Sequence, residues 1–369
     1  MWKIIFPGIA MVGVTYAFAR LSFGLFLPNI TVSLGLSESN AGFASSAAYI
    51  AYSLALVISS YIISRFGQKR VIQFSGLSAI IGLIVIALSN GFFSLICGTF
   101  IAGLGSGWAS PAFSQVAATS LTKEDSDRGN TWINTGTSFG LILSGPIALL
   151  FAEQWRFAFI VFATIALAVL IWNSVSIPAK DILTSKQNIF KYSIFNKAKF
   201  ILISSLIIGI GSSIFWTFSR TYLAVEYKMS SAESSLFWVI MGASGVVGGF
   251  AGGLINRIGL TLSYRIAITI MASAILIITI PTTTTIYLSS VFFGISYIFI
   301  TGILIVWSSH KFAQMPSIGV SLSFLALGIG QSIGSSGAGE MIDITTYTIT
   351  FVAFSLFCLI GLLVPVKRD

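Results

Sequence analysis

The sequence predicts an all-helical integral membrane protein of twelve transmembrane helices in two pseudo-symmetric six-helix bundles. Three observations carry this. Only 8% of the 369 residues are charged and 56% are hydrophobic, with a mean hydropathy of +0.95, whereas about a quarter of the residues in soluble domains are charged. Twelve apolar stretches follow one another, each long enough to cross a hydrocarbon core roughly 30 Å thick. An aromatic residue four positions before an arginine also occurs twice, as Tyr16-Ala-Phe-Ala-Arg20 in the first stretch and Trp216-Thr-Phe-Ser-Arg220 in the seventh. Both pairs fall on one helix face.

In order, the first six spans are expected near residues 4–28, 40–63, 71–89, 92–120, 130–152 and 156–176. The second six are expected near 199–225, 232–256, 263–281, 285–309, 317–340 and 346–365. The first is too long for a signal-peptide apolar region and reads as a retained span. The second ends in Ser64-Arg65-Phe66-Gly67-Gln68-Lys69-Arg70 and the eighth in Asn256-Arg257-Ile258-Gly259. Glycine suits a chain that must end one helix and begin another within a few residues. The segment 177–198, with Lys180, Lys186, Lys191 and Lys197, is the longest and most basic loop. It divides the chain into an N-terminal bundle (1–176), a cytoplasmic linker (177–198) and a C-terminal bundle (199–369).

Net charge is +9, yet the basic residues follow topology. With the N-terminus inside, sixteen of the twenty Lys and Arg fall on the cytoplasmic side, only Arg156 and Lys228 fall outside, and Arg20 and Arg220 remain in the membrane. The positive-inside rule then places both termini in the cytoplasm. The basic excess is orientation, so no nucleic-acid partner is expected. Cys97 and Cys358 lie in separate spans without CxxC spacing, and His310 is the single histidine. No disulfide, metal site, cofactor or thiol chemistry is expected, and the chain reads as a non-enzyme.

The Arg-x-Gly turns at corresponding places in two six-helix halves resemble the signature loop of the major facilitator superfamily (MFS), often written G-x-L-x-D-R-x-G-R-K. Trp155-Arg156-Phe157-Ala158-Phe159 looks like that family's W-R-x-x-F, and Gly145-Pro146 like its fifth-helix Gly-Pro element. The run Tyr16 to Pro28 looks most like the YbfB/YjiJ-like branch. The chain departs from the loop pattern at Ser60, Ser64 and Asn256 while keeping Gly252. Thr99 stands where many proton-coupled members carry an arginine, so proton coupling is not carried over. The resemblance implies a secondary transporter working by alternating access, with spans 1, 4, 7 and 10 around a central cavity. The turns with Arg65, Gly67, Lys69, Arg257 and Gly259 would be its gating loops.

An arginine in a span costs about 2.5–3.5 kcal/mol on insertion scales, and no Asp or Glu lies mid-span to pair with either one. Guanidinium stays protonated and binds carboxylate, sulfonate or phosphate through paired hydrogen bonds. Arg20 and Arg220 are therefore expected to meet across the cavity as a clamp on a small organic anion. Tyr16, Trp216, Ser106, Ser110, Tyr297 and Thr301 would complete the wall. The structural alternative has each arginine snorkel or pair with Glu153, Glu226 or Glu340. Serines and threonines in spans more often serve helix packing.

The Gly245-Val-Val-Gly-Gly249 run with Gly253 reads as a packing seam, and Gly103-Leu-Gly105-Ser-Gly107 has no βαβ context for a dinucleotide. A drug or lipophilic-cation exporter and a non-transporting membrane sensor are the competing functional classes. The expected partners are an anionic small molecule and the bilayer, with the protein a monomer in a cell (inner) membrane.

Overall fold

The computed structural model describes residues 1–151, 153–179, 192–248, 255, 257–312 and 316–366, and every regular element among them is helical. The spans of the first half are α1 (Trp2–Leu34), α2 (Glu38–Phe66), α3 (Gln68–Ala87), α4 (Phe92–Ser120), α5 (Gly129–Leu150) and α6 (Trp155–Ser176). Those of the second half are α7 (Tyr192–Glu226), α8 (Ser231–Gly248), α9 (Leu260–Ile277), α10 (Thr283–Lys311), α11 (Pro316–Ile344) and α12 (Tyr347–Leu359), followed by a 3₁₀ turn, Ile360–Leu363. Ten of the described helices are long and apolar enough to span a bilayer unaided. The helix α8 is described only to Gly248, and Tyr347–Leu363 is a shorter apolar stretch.

Two boundaries differ from expectation for physical reasons. The first span does not stop at Pro28 but continues to Leu34, with the proline inside the helix. A buried span tolerates an interior proline when neighbours satisfy the carbonyls it frees. Pro28 frees the Gly24 carbonyl, and Arg220 of α7 donates to the neighbouring Leu25 carbonyl oxygen. The helix α7 begins at Tyr192, inside the segment read as linker, because a helix can run past the hydrocarbon core and carry charged residues into water. Residues 180–191 of that linker, with 152, 249–254, 256, 313–315 and 367–369, lie outside the described residues. Gly249, Gly252, Gly253 and Asn256 are among those.

The two short turns are the same structure made twice. Gly67 has φ 80° and ψ 155°, and Gly259 has φ 83° and ψ 161°. Each donates its N–H to the preceding helix, Gly67 to Ile63 O at 2.8 Å and Gly259 to Ile255 O at 2.9 Å. Each also accepts from the following one, from Val71 N and Ser263 N, both at 3.2 Å. This corner of backbone space is essentially open only to glycine.

Call the end of the bundle that holds Met1 and Val366 the near end, and the end reached by Leu34, Glu38 and Glu226 the far end. The halves meet through α1 and α7, α2 and α11, and α5 and α8. A methyl group added at Gly24 would run into the Trp216 carbonyl oxygen, so α1 and α7 touch backbone to backbone there. Ser45 on α2 bonds Thr217 on α7 at 3.0 Å, and Thr217 bonds Ser335 on α11 at 2.7 Å. Ser46 donates to Ser332 O at 2.9 Å. The Asp343 carboxylate of α11 accepts from the Glu38 and Ser39 N–H groups at 3.2 and 2.9 Å, capping α2 from the other half. Among the described residues, the hydrogen bonds between the halves all fall from mid-bundle to the far end. The polar contacts that join the halves are therefore gathered toward the far end in this conformation.

Candidate functional site

Both intramembrane arginines are buried, Arg20 with 6% and Arg220 with 2% of its surface exposed. Neither side chain is exposed to solvent to any large extent in this conformation. Their surroundings are not alike.

Arg20 lies in the middle of α1, where Gly13–Leu21 is wound as a π-helix. Such wide turns are rare and recur at functional sites. The guanidinium carbon is 4.3 Å from the ring centre of Tyr52, 4.6 Å from Tyr16 and 5.7 Å from Tyr49. Each such contact contributes about 0.5–2 kcal/mol, so the cage is of the right size to offset the insertion cost of about 2.5–3.5 kcal/mol. It leaves the hydrogen-bonding potential unmet. Arg20 Nε and Nη1 are buried without a partner, and an unsatisfied buried donor costs about 1–3 kcal/mol. Tyr16 is held in place by a 2.9 Å hydrogen bond between its hydroxyl and Ser110 Oγ.

The second half supplies the facing wall. The Trp216 and Tyr297 rings meet edge to face at 5.0 Å. The Tyr297 hydroxyl, within electrostatic reach of Arg20, accepts from Gln331 Nε2 at 3.0 Å. Trp216 Nε1 and Gln331 Oε1 are buried and unpartnered. Arg20 and Tyr297 thus bring polar groups of both halves toward one centre, with Trp216 beside Tyr297.

Arg220 is spent elsewhere. Its Nε donates to Ser234 Oγ at 3.1 Å, and its Nη1 donates to Leu25 O and, at 3.3 Å, to Asn29 Oδ1. It ties α7 and α8 to the segment of α1 around Pro28 at the far end. There it borders a cavity of about 600 Å³ shared with Asn29, Glu153, Trp155 and Arg156. Arg20 and Arg220 share no partner, so the structure does not bring them together on one site. None of Glu153, Glu226 and Glu340 accepts a hydrogen bond from Arg220.

The remaining expected residues divide. Ser106 donates to Gly103 O at 2.9 Å and Thr301 to Ile298 O at 2.8 Å, so both hydroxyls are used within their own helices. Arg65 and Arg257 are exposed beside the two glycine turns, and Lys69 is half-buried. Arg156 stacks on Trp155 at 4.2 Å and donates to Ser33 Oγ and Ser89 O at 3.1 and 2.9 Å, fastening the loop ends of the first half. Cys97 and Cys358 are both free thiols.

Tyr49, Tyr52 and Gln331 lie on α2 and α11, outside the four spans 1, 4, 7 and 10 that the family resemblance points to. A signal existed. Two tyrosines three apart in an alanine-rich span, and an amide deep in another, are costly in a bilayer without a purpose.

A twelve-helix bundle with duplicated glycine turns and a polar centre between its halves defines a membrane transporter. The sequence matches the Major Facilitator Superfamily model over residues 9–335, and the chain belongs to that superfamily of multi-pass transport proteins rather than to the enzymes. A relative in Pseudomonas aeruginosa, named transcription regulatory protein OpdE, is 24% identical over 356 residues, covering 91% of this chain and 86% of that protein. Among solved structures, a D-xylose–proton symporter superposes with TM-score 0.82 at 14% identity, covering 100% of this chain and 99% of that one. The nucleoside transporter NupG superposes with TM-score 0.79 at 13% identity, covering 98% and 97%. At those identities the likeness concerns the fold.

Proposed function

We propose that this protein carries a small organic anion across a cell (inner) membrane by alternating access, with Arg20 as the anion contact and both termini cytoplasmic. The halves 1–176 and 199–369 are the rocking units, joined by 177–198, and the run Tyr16 to Pro28 supports placement in the YbfB/YjiJ-like branch. The observation that carries the reading is Arg20 itself, a buried cation whose cage supplies ring faces but leaves Nε and Nη1 unpartnered. An anion supplies the missing acceptors. The absence of any mid-span Asp or Glu argues against a lipophilic-cation exporter. In this reading Arg220 acts on the same cycle from the far end, holding the halves together rather than gripping the cargo. Exchange of labelled organic anions by proteoliposomes tests it. Arg20→Gln is expected to lose at least about 100-fold in rate, the scale of about 3 kcal/mol for a buried charge-assisted contact, and Arg20→Lys to retain part. A fully active Arg20→Gln overturns it.

The likeness to a protein named for transcription regulation, along nearly the whole chain, supports a second reading as a ligand-binding membrane sensor. The same vesicles separate the two. A sensor binds the anion through Arg20 yet exchanges none.

A further inference from the structure

We propose that the far-end cavity between the halves is a second oxyanion site, separate from Arg20, and that it takes a phosphate group between Arg156 of the first half and Arg220 of the second. The cavity holds about 600 Å³, within the range of pockets that enclose small ligands. The first half walls it with α1 at Asn29 and with the start of α6 at Glu153 and Arg156, the second half with α7 at Arg220 and α8 at Ser231.

Both guanidiniums are held by neutral groups alone. Arg156 donates through Nη1 and Nη2 to Ser33 and Ser89, and Arg220 through Nε and Nη1 to Ser234, Leu25 and Asn29. Among the described residues no carboxylate accepts from either one. Glu153 is exposed on the same wall and offsets one of the two charges, which leaves the cavity net positive. Donors also remain. Arg220 is buried, yet its Nη2 makes none of these bonds and is not sealed inside the protein, so it opens on the cavity that the residue lines. Arg156 Nε is likewise unengaged and accessible.

Two helix starts add to this charge. The helix α6 begins at Trp155 without a side-chain cap, and the Trp155 and Arg156 N–H groups have no acceptor among the described residues. The helix α8 begins at Ser231. Both starts border the cavity, and the partial positive charge of each favours an anion. Donors supplied by two halves suit a tetrahedral phosphate, whose acceptors point in several directions, better than a planar carboxylate. Val32 and Phe157, both exposed, line the cavity too. Its mouth thus reaches the apolar surface, and the phosphate can arrive free in water or as the headgroup of a lipid. An occupant that touches both halves favours the conformation in which they meet.

The test is the thermal midpoint of the purified full-length protein in dodecyl maltoside, since a ligand of the folded state raises it. One arm titrates inorganic phosphate against chloride at equal ionic strength. The other titrates dihexanoylphosphatidylglycerol against dihexanoylglycerol, which lacks the phosphate. A rise with inorganic phosphate supports the site with a free anion as its source, and a rise with the phospholipid alone supports it with a headgroup. Arg156→Gln should raise the half-saturating concentration about tenfold and Glu153→Gln should lower it about threefold, the scale of one charge near a protein surface. Ser231→Asp suits a helix start and so preserves folding, yet should weaken the ligand about tenfold. Arg20→Gln should leave the half-saturating concentration unchanged. If neither compound raises the midpoint, or if Arg156→Gln and Ser231→Asp respond like the parent, the proposal falls whatever holds at Arg20. If the rise is lost in Arg20→Gln and kept in Arg156→Gln, the phosphate sits at the central site, and this proposal falls while the anion reading stands.

Discussion

Arg20 and Gly24 stand a turn apart on α1 and do opposite things, the one burying polar donors without partners and the other bringing two backbones into contact. The cage argument makes the ring of Tyr52 matter more than its hydroxyl. Tyr52→Phe should keep the thermal midpoint close to that of the parent, because the face over the guanidinium is retained, whereas Tyr52→Leu should cost about 1–2 kcal/mol of stability. Equal losses in the two variants would show that the cage does not hold the charge. Gly24→Ala introduces a methyl group where the Trp216 carbonyl oxygen already sits. It should force α1 and α7 apart and expose Ser45, now buried against Thr217, read as faster maleimide labelling of Ser45→Cys in a Cys97→Ser background. Tyr16 was legible from the sequence because it shares a helix with Arg20 and local periodicity places it. Tyr49 and Tyr52 reach Arg20 only through the packing of α2, which no local pattern encodes. The Arg220 partner was hidden for a sharper reason, being a main-chain carbonyl at Leu25.

At the scale of elements, the duplicated turns show how far local chemistry determines the fold. Gly67 and Gly259 were readable because no other residue suits their backbone, and the two hydrogen bonds that each makes reproduce one another within 0.1 Å. A Cβ at Gly259 would meet nothing within 4 Å, so any cost of Gly259→Ala is purely conformational. That substitution should lower stability by about 1–3 kcal/mol, and an unchanged unfolding midpoint would show that the turn relaxes without strain. The sequence also located the helices, since hydropathy and length dictate them. It did not reveal the π-wound Gly13–Leu21 or the continuation through Pro28. Both lie where other helices press on α1, with Gly136 and Gly140 close to Gly13 and Arg220 bonded to Leu25.

For the whole molecule, the joining of the halves toward the far end rests on few polar contacts, so its population should respond to single changes. The Asp343 carboxylate reaches two N–H groups at the start of α2, where helix polarity favours a negative charge. Asn at this position keeps one acceptor oxygen and removes the charge. With charged hydrogen bonds contributing about 1.5–3 kcal/mol and the helix terminus about 0.3–1 kcal/mol, Asp343→Asn should weaken the closed state by about 1–2 kcal/mol. That corresponds to a shift of roughly 5- to 30-fold toward far-end opening. Spin labels across the α2–α11 seam would read it as growth of a longer-distance population, and Asp343→Glu should restore part of the closed fraction. If the Arg20 ligand touches both halves, adding it should pull the variant back toward a closed, occluded distance, because a ligand that contacts both halves favours the state in which they meet. A distance distribution indifferent to both the substitution and the ligand would mean that the seam is held by packing alone, and that neither Asp343 nor the central site biases the rocking of the halves.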